Sequence, residues 1–130
     1  MARFRNLGEG FAPSVPANAP ALVDLGASSR QSYSYGDLRE LSAAVARGLV
    51  ARGLGVGDRI AIISANRAEF LLAVFGALRA GLTVIPVNNK LPDATVRLVL
   101  QDNDVALIFH DREHSRLCLS DVAAVEFGAP

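Results

Sequence analysis

The stretch from Gly57 to Lys90, GDRIAIISANRAEFLLAVFGALRAGLTVIPVNNK, constrains the fold more than any other part of the chain, because its periodicity and its punctuation describe one strand–helix–strand unit. Ile60 to Ile63 is a short, continuous apolar run rich in β-branched residues, the pattern of a strand covered on both faces. Asn66 is the expected helix N-cap, with Glu69 at the spacing of a capping box. The helix is expected from Arg67 to Ala80, with Phe70, Leu71, Val74, Phe75 and Leu78 on one broad face. Leu72 and Ala73 leave little polar surface opposite, so deep packing is expected all round. Gly81 suits the C′ position, where glycine enters the left-handed region without a Cβ penalty. Leu82 to Val87 is the second strand, and Pro86 near its end limits how far its ladder continues. Two apolar strands joined by one helix are expected to be parallel with a right-handed crossover.

The flanking chain continues the same alternation. Residues 1–20 carry Pro13, Pro16 and Pro20 among small residues and read as an irregular, surface-wrapping arm. Residues 21–130 read as a single α/β subdomain. Ala21 to Leu25 is an expected strand, and Gly26 to Arg30 turns into another at Gln31 to Tyr33. Ser34 with Asp37 forms a second capping box, opening a helix whose stripe is Leu38, Leu41, Val45 and Leu49. Gly53, Gly55 and Gly57 end that helix and lead into the strand beginning near Arg59. Asn88 to Leu91 is a loop, and Pro92 suits the first turn of a helix in which Asp93 complements the dipole. Val96, Val99 and Leu100 face inward, and the helix stops around Asp102 to Asp104. Val105 to Phe109 is a further buried strand, Asp111 to Leu117 a short helix, and Val122 to Phe127 the last strand. Strands alternating with helices at these spacings give a layered, mostly parallel sheet flanked by helices.

Charge and composition exclude several classes of partner. Thirteen basic and thirteen acidic residues cancel, so there is no electrostatic case for nucleic acid or an anionic membrane. No apolar stretch is long enough to span a bilayer. The single cysteine, Cys118, excludes an internal disulfide, reads as a packed thiol, and fits a reducing, cytoplasmic compartment. Arg3 and Arg5 are not followed by the apolar run of a secretory signal.

Three runs imitate chemical motifs without their context. GLGVG at 53–57 follows a helix and precedes a strand, whereas a dinucleotide fingerprint follows a strand and opens a helix. HDREH at 110–114 has the spacing of one zinc-protease signature, but His110 is expected at a strand end, so the two imidazoles need not share a helix face. Asp102 and Asp104 lack the glycine and distal glutamate of a calcium loop and read as a polar helix terminus. The chain contains no G-x-S-x-G elbow and no G-x-x-x-x-G-K-[ST] loop.

The GDR-IAI opening, the N-x-x-EF helix start, the ALRAG helix end, the VIPVN strand end and the upstream S-Y-S-Y-G-D-L segment occur in one order. In that order they resemble the N-terminal region of the adenylate-forming enzymes: acyl-CoA synthetases, luciferases and nonribosomal adenylation domains. The resemblance covers roughly Ser32 to Asp111 and is closest to acyl-CoA synthetases. It implies a hairpin before the first helix, and a parent enzyme that joins a carboxylate to ATP and then to a thiol such as coenzyme A, using Mg²⁺. The family's Ser/Thr/Gly-rich loop ending in Lys-Gly, which holds the ATP phosphates, does not occur in these 130 residues, nor does its C-terminal catalytic lysine. The resemblance therefore implies an N-terminal subdomain of a larger enzyme, with no catalytic residue or cofactor of its own and no activity in isolation. Lys90, the only lysine, follows Asn88 and Asn89 where the family commonly shows N-P-R. In some acyl-CoA ligases that arginine contacts a phosphate of coenzyme A; the resemblance implies a point charge from Lys90 there, the alternative being a solvated loop lysine. The expected partners are the rest of the parent enzyme or a second copy meeting an exposed apolar face. The competing expectation is a self-sufficient, non-catalytic α/β binding module, which would show no such face.

Overall fold

A computed structural model describes residues 6–10, 14–26 and 30–128. Parts of the expected N-terminal arm (1–5 and 11–13) and of the turn before the second strand (27–29) lie outside the described residues. Strands β1 (Pro20–Asp24) and β2 (Gln31–Ser34) pair antiparallel as a hairpin. Helix α1 (Tyr35–Ala51) follows, then β3 (Arg59–Ile63), α2 (Ala68–Arg79), β4 (Thr83–Pro86), α3 (Asp93–Asp102), β5 (Leu107–His110) and β6 (Ala123–Glu126). A 3₁₀ turn over Arg112–Leu117 separates the last two strands. The four later strands form one parallel sheet in the order β4-β3-β5-β6.

Strand β3 lies at the centre of that sheet, and Ile60 to Ile63 are all 0% exposed. Alternation divides them between two cores. Ile60 and Ile62 pack with Leu49, Ala73, Ala77, Leu107 and Phe109 beneath α1 and α2. Ala61 and Ile63 pack with Val96, Leu100, Ile108 and Leu117 beneath α3 and the 3₁₀ turn. Pro86 closes β4, an edge strand, where its missing N–H interrupts no central ladder.

The helix ends show where local signals prevail. Ser34 and Asp37 form the expected capping box: the Asp37 N–H donates to Ser34 Oγ at 3.1 Å, and the Ser34 N–H to Asp37 Oδ2 at 2.8 Å. Gly81 has φ +81° directly after the C-cap Ala80. The expected Asn66 cap does not form. The N-cap of α2 is Arg67, without a side-chain cap bond, and Glu69 pairs with the Arg67 guanidinium. Near the other end, an N-terminal 3₁₀ turn, Leu7–Glu9, meets the end of α2, where Asn6 Nδ2 donates to the Arg79 carbonyl at 3.4 Å.

Two burial expectations are reversed. The fully buried residues of α2 are small: Ala68, Ala73, Gly76 and Ala77. Phe70, Leu72, Val74 and Leu78 are half-buried, and Leu71 is exposed. The cause is the close approach of α1, which brings Val45 and the Ser42 carbonyl against Gly76 and leaves no room for a large side chain. On α1, Leu41 is exposed, while Ser42 is buried with its hydroxyl donating to the Arg39 carbonyl at 3.2 Å.

A pair of glycines tests this packing. A Cβ on Gly76 would stand 2.5 Å from Val45 Cβ, whereas one on Gly48 of α1 meets nothing within 4 Å. Helix propensity alone favours alanine at either site by about 1 kcal/mol. Gly48→Ala is therefore expected to stabilise by about 0.5–1 kcal/mol, and Gly76→Ala to destabilise by about 1–3 kcal/mol through overpacking. Urea unfolding measures both, and two shifts of the same sign would contradict the helix contact.

Candidate functional site

The chain reverses direction across the sheet at β3, since β4 lies on one side of it and β5 on the other. In open α/β sheets the crevice outside the carboxyl ends of two such strands is where ligands bind. Here it is walled by the turn after β3 (Ser64 to Arg67), the turn after β5 (Asp111 to Glu113), and the end of β1. The cleft measures about 430 Å³ and its lining includes Asp24, Gln31, Asn66, Arg67, Asp111 and Arg112.

Two buried carboxylates organise it. Asp24 Oδ2 accepts the Ala68 N–H, the first of α2, at 2.8 Å, and Oδ1 accepts the Gly26 N–H at 2.8 Å. These backbone bonds, Ala68 first, hold its carboxyl below the usual aspartate range. Asp111 Oδ2 accepts the Ala65 N–H at 2.8 Å, and Oδ1 accepts the His114 N–H at 3.1 Å and meets His114 Nδ1 at 2.5 Å. Burial pushes the Asp111 carboxyl up, but the Ala65 and His114 bonds outweigh it and the net displacement is downward. Arg67 makes a forked pair with Glu69, at 2.9 and 2.7 Å, and lies 5.6 Å from the centre of the Phe127 ring. Phe127 in turn stacks on Phe109 at 5.5 Å, which ties the end of β6 to the core.

Lys90 lies in the neighbouring cleft, between the ends of β3 and β4, of about 420 Å³. Its side chain is exposed, its N–H donates to Asn88 Oδ1 at 3.0 Å, and Asn89 Nδ2 donates to the Ser64 carbonyl at 3.2 Å. These two asparagines hold the loop that presents Lys90 against the turn after β3. A third depression, about 480 Å³ and largely apolar, runs between β1 and α2 along Leu22, Val23, Leu25, Phe70 and Leu71.

The motif-like runs fall where their context places them. GLGVG joins α1 to β3, with Gly53 at φ +85° and Gly57 at φ +91°, and the Gly55 N–H donates to Asp58 Oδ2 at 2.8 Å. In HDREH, His110 ends β5 and its Nδ1 is 2.8 Å from the Asp111 carbonyl, while His114 sits on the 3₁₀ turn against the Asp111 carboxylate. Among the described residues, no group of three His, Cys, Asp or Glu side chains is placed to hold a metal ion. Asp102 ends α3 and Asp104 turns the chain at φ +49°. Cys118 is half-buried against the second core, and burial raises its thiol pKa. Sequence reasoning missed Asp24: it stands 44 residues from the helix it caps, and nothing in ALVDL marks it.

This fold, with its central parallel sheet and N-terminal hairpin, is that of the adenylate-forming enzymes. The sequence profile of the AMP-binding enzyme family matches residues 11–127, and the chain belongs to that family. Within it, the chain is most like the N-terminal region of acyl-CoA synthetases. It is 35% identical over 77 residues to the acyl-CoA ligase SID4 of Ajellomyces capsulatus, an alignment covering 59% of this chain and 13% of that protein. It is 33% identical over 105 residues to surfactin synthase subunit 3 of Bacillus subtilis, covering 79% of this chain and 8% of that one. The crystal structure of the Brucella canis acyl-CoA synthetase superposes with a TM-score of 0.82 at 17% identity, covering 96% of this chain and 24% of that one. The chain thus spans a small share of the length of the relatives it matches. No helix among the described residues is long and apolar enough to cross a membrane.

The two carboxylates make stability depend on pH in a defined direction. Both have pKa values below the ordinary 3.8 when folded, so their contribution is complete above that value and is lost as pH falls through the lowered ones. Urea midpoints should therefore drop below about pH 4, and Asp24→Asn and Asp111→Asn should each flatten that drop. An unchanged profile in both variants would remove the two groups from the account.

Proposed function

We propose that this chain is the N-terminal subdomain of an ATP-dependent acid–thiol ligase. The observation that carries the proposal is the family match across residues 11–127 in a chain spanning only 13% and 8% of two relatives. In the reaction, a carboxylate oxygen attacks the α-phosphorus of ATP, and the bond to the departing pyrophosphate breaks. The thiol of coenzyme A then attacks the acyl carbon of the adenylate, and AMP leaves. When bound to the parent enzyme, Mg²⁺ would supply neutralisation of the charge on the phosphates.

Among the described residues, those before β1 serve as an arm and those from β1 onward as the subdomain. The loop that holds ATP phosphates in this family is absent from the 130 residues, so the chain alone is inactive and works with the rest of the enzyme in the cytoplasm. The apolar depression between β1 and α2 supports a packing partner, with Leu25 77% exposed and Leu71 36% exposed. When that partner is missing, the same face drives self-association. Lys90, exposed on a loop fixed by Asn88 and Asn89, supplies a cation to a phosphate of coenzyme A.

The decisive experiment is ATP–pyrophosphate exchange with a panel of carboxylates, on the chain alone and on the product of the reading frame extended past Pro130. Exchange is expected only in the longer protein. Exchange by the chain alone, or by neither across aliphatic, aryl and amino acids, would overturn the reading. In the longer protein, Lys90→Ala should raise the KM for coenzyme A about tenfold, equivalent to about 1.4 kcal/mol, and leave pyrophosphate exchange unchanged. An unaltered coenzyme A KM would remove Lys90 from the site.

A further inference from the structure

The crevice outside β3 and β5 is where an open α/β sheet ordinarily takes an anionic ligand, on the amides of the strand-to-helix turn and the positive end of the helix. Here the amides of Ala65, Ala68, Glu69 and Phe70 already serve the chain's own acceptors. The Ala65 N–H goes to Asp111 and the Ala68 N–H to Asp24, each at 2.8 Å. The Phe70 N–H goes to the Arg67 carbonyl at 3.1 Å, and the Glu69 carboxylate accepts its own backbone N–H. Of the two cations of the cleft, Arg67 is forked onto Glu69, while Arg112 is exposed and lies 3.5 Å from Glu126.

We infer that this cleft is a closed joint in which Asp24 and Asp111 are resident anions, occupying the amide positions that a phosphate would take. The two carboxylates come from different parts of the chain, the end of the β1–β2 hairpin and the turn after β5. Each therefore fastens a separate segment to the β3–α2 turn while filling half of the anion site. An incoming phosphate meets no free amide at Ala65 or Ala68, and it meets Asp24, Glu69, Asp111 and Glu113 against only two arginines. Repulsion from the carboxylates adds to the loss of donors, so the exclusion is both geometric and electrostatic. A phosphate-bearing substrate of the parent enzyme must bind elsewhere. The joint itself follows from the hydrogen bonds and does not depend on the ligase reading.

The test is an NMR titration of the 130-residue chain with inorganic pyrophosphate, read at the Ala65 and Ala68 amides. In the wild type both resonances are expected to stay in place at millimolar pyrophosphate. In Asp24→Ala the Ala68 amide is expected to shift saturably as the anion replaces the missing carboxylate, and Asp111→Ala should do the same at Ala65. A saturable shift of either amide in the wild type would overturn the inference. So would two folded variants that show no shift. Where one variant does not fold, the wild type and the other variant still decide, and the ligase reading is judged separately by pyrophosphate exchange.

Discussion

Burial of β3 on both faces is the constraint on which the rest of the structure depends. Its four apolar residues are fully enclosed and alternate between two cores, so one short strand fixes α1 and α2 on one side and α3 on the other. Burying an aliphatic side chain of this size contributes about 1.5–3 kcal/mol, and losing Ile62 to alanine would cost about 2–5 kcal/mol. That is a large share of the stability of a domain this size. The strand also fixes the place of any site, because β4 and β5 lie on opposite sides of it and the crevice opens outside the carboxyl ends of β3 and β5.

What happens at that crevice separates fold from function. The topology is one that binds nucleotides in many proteins, yet the turn after β3 has no glycine, and its amides at Ala65 and Ala68 are bonded to carboxylates. The polar end of the sheet therefore acts as a fastening between segments. Besides the Lys90 cleft, an apolar surface remains open along β1 and α2. Its openness follows from α2 burying its alanines and Gly76, which leaves Phe70 and Leu71 at the margin of the depression. A helix with its small residues fully buried and its large apolar residues only partly so is suited to being covered from both sides.

Most of the fold was legible in the sequence, because it rests on signals that act over a few residues. The Ser34–Asp37 box, the left-handed Gly81, the strand at 60–63 and the proline at the edge of the sheet all follow from local sterics and period. The features that escaped depend on contacts distant in sequence. Asn66 has the right spacing to cap α2, but Asp24 reaches the Ala68 amide from the hairpin and makes a local cap unnecessary. Periodicity identified α2 as apolar all round without indicating which side meets α1, since that is decided by how closely two helices approach. Leu41 belongs to the stripe of α1 by spacing, yet it is exposed while Ser42 beside it is buried. Of the candidate site, Lys90 was visible as the chain's only lysine, but the hydrogen bonds that hold its loop were not.

The central claim is that this fold is completed by further protein covering the β1–α2 face. Hydroxyl-radical footprinting of Leu25, Phe70 and Leu71 tests it most directly, comparing dilute, monomeric 130-residue chain with the product of the longer reading frame. The account predicts that all three side chains are oxidised in the short chain and protected in the long one, while buried Ile62 is protected in both. Equal oxidation of Leu25, Phe70 and Leu71 in the two proteins would contradict it.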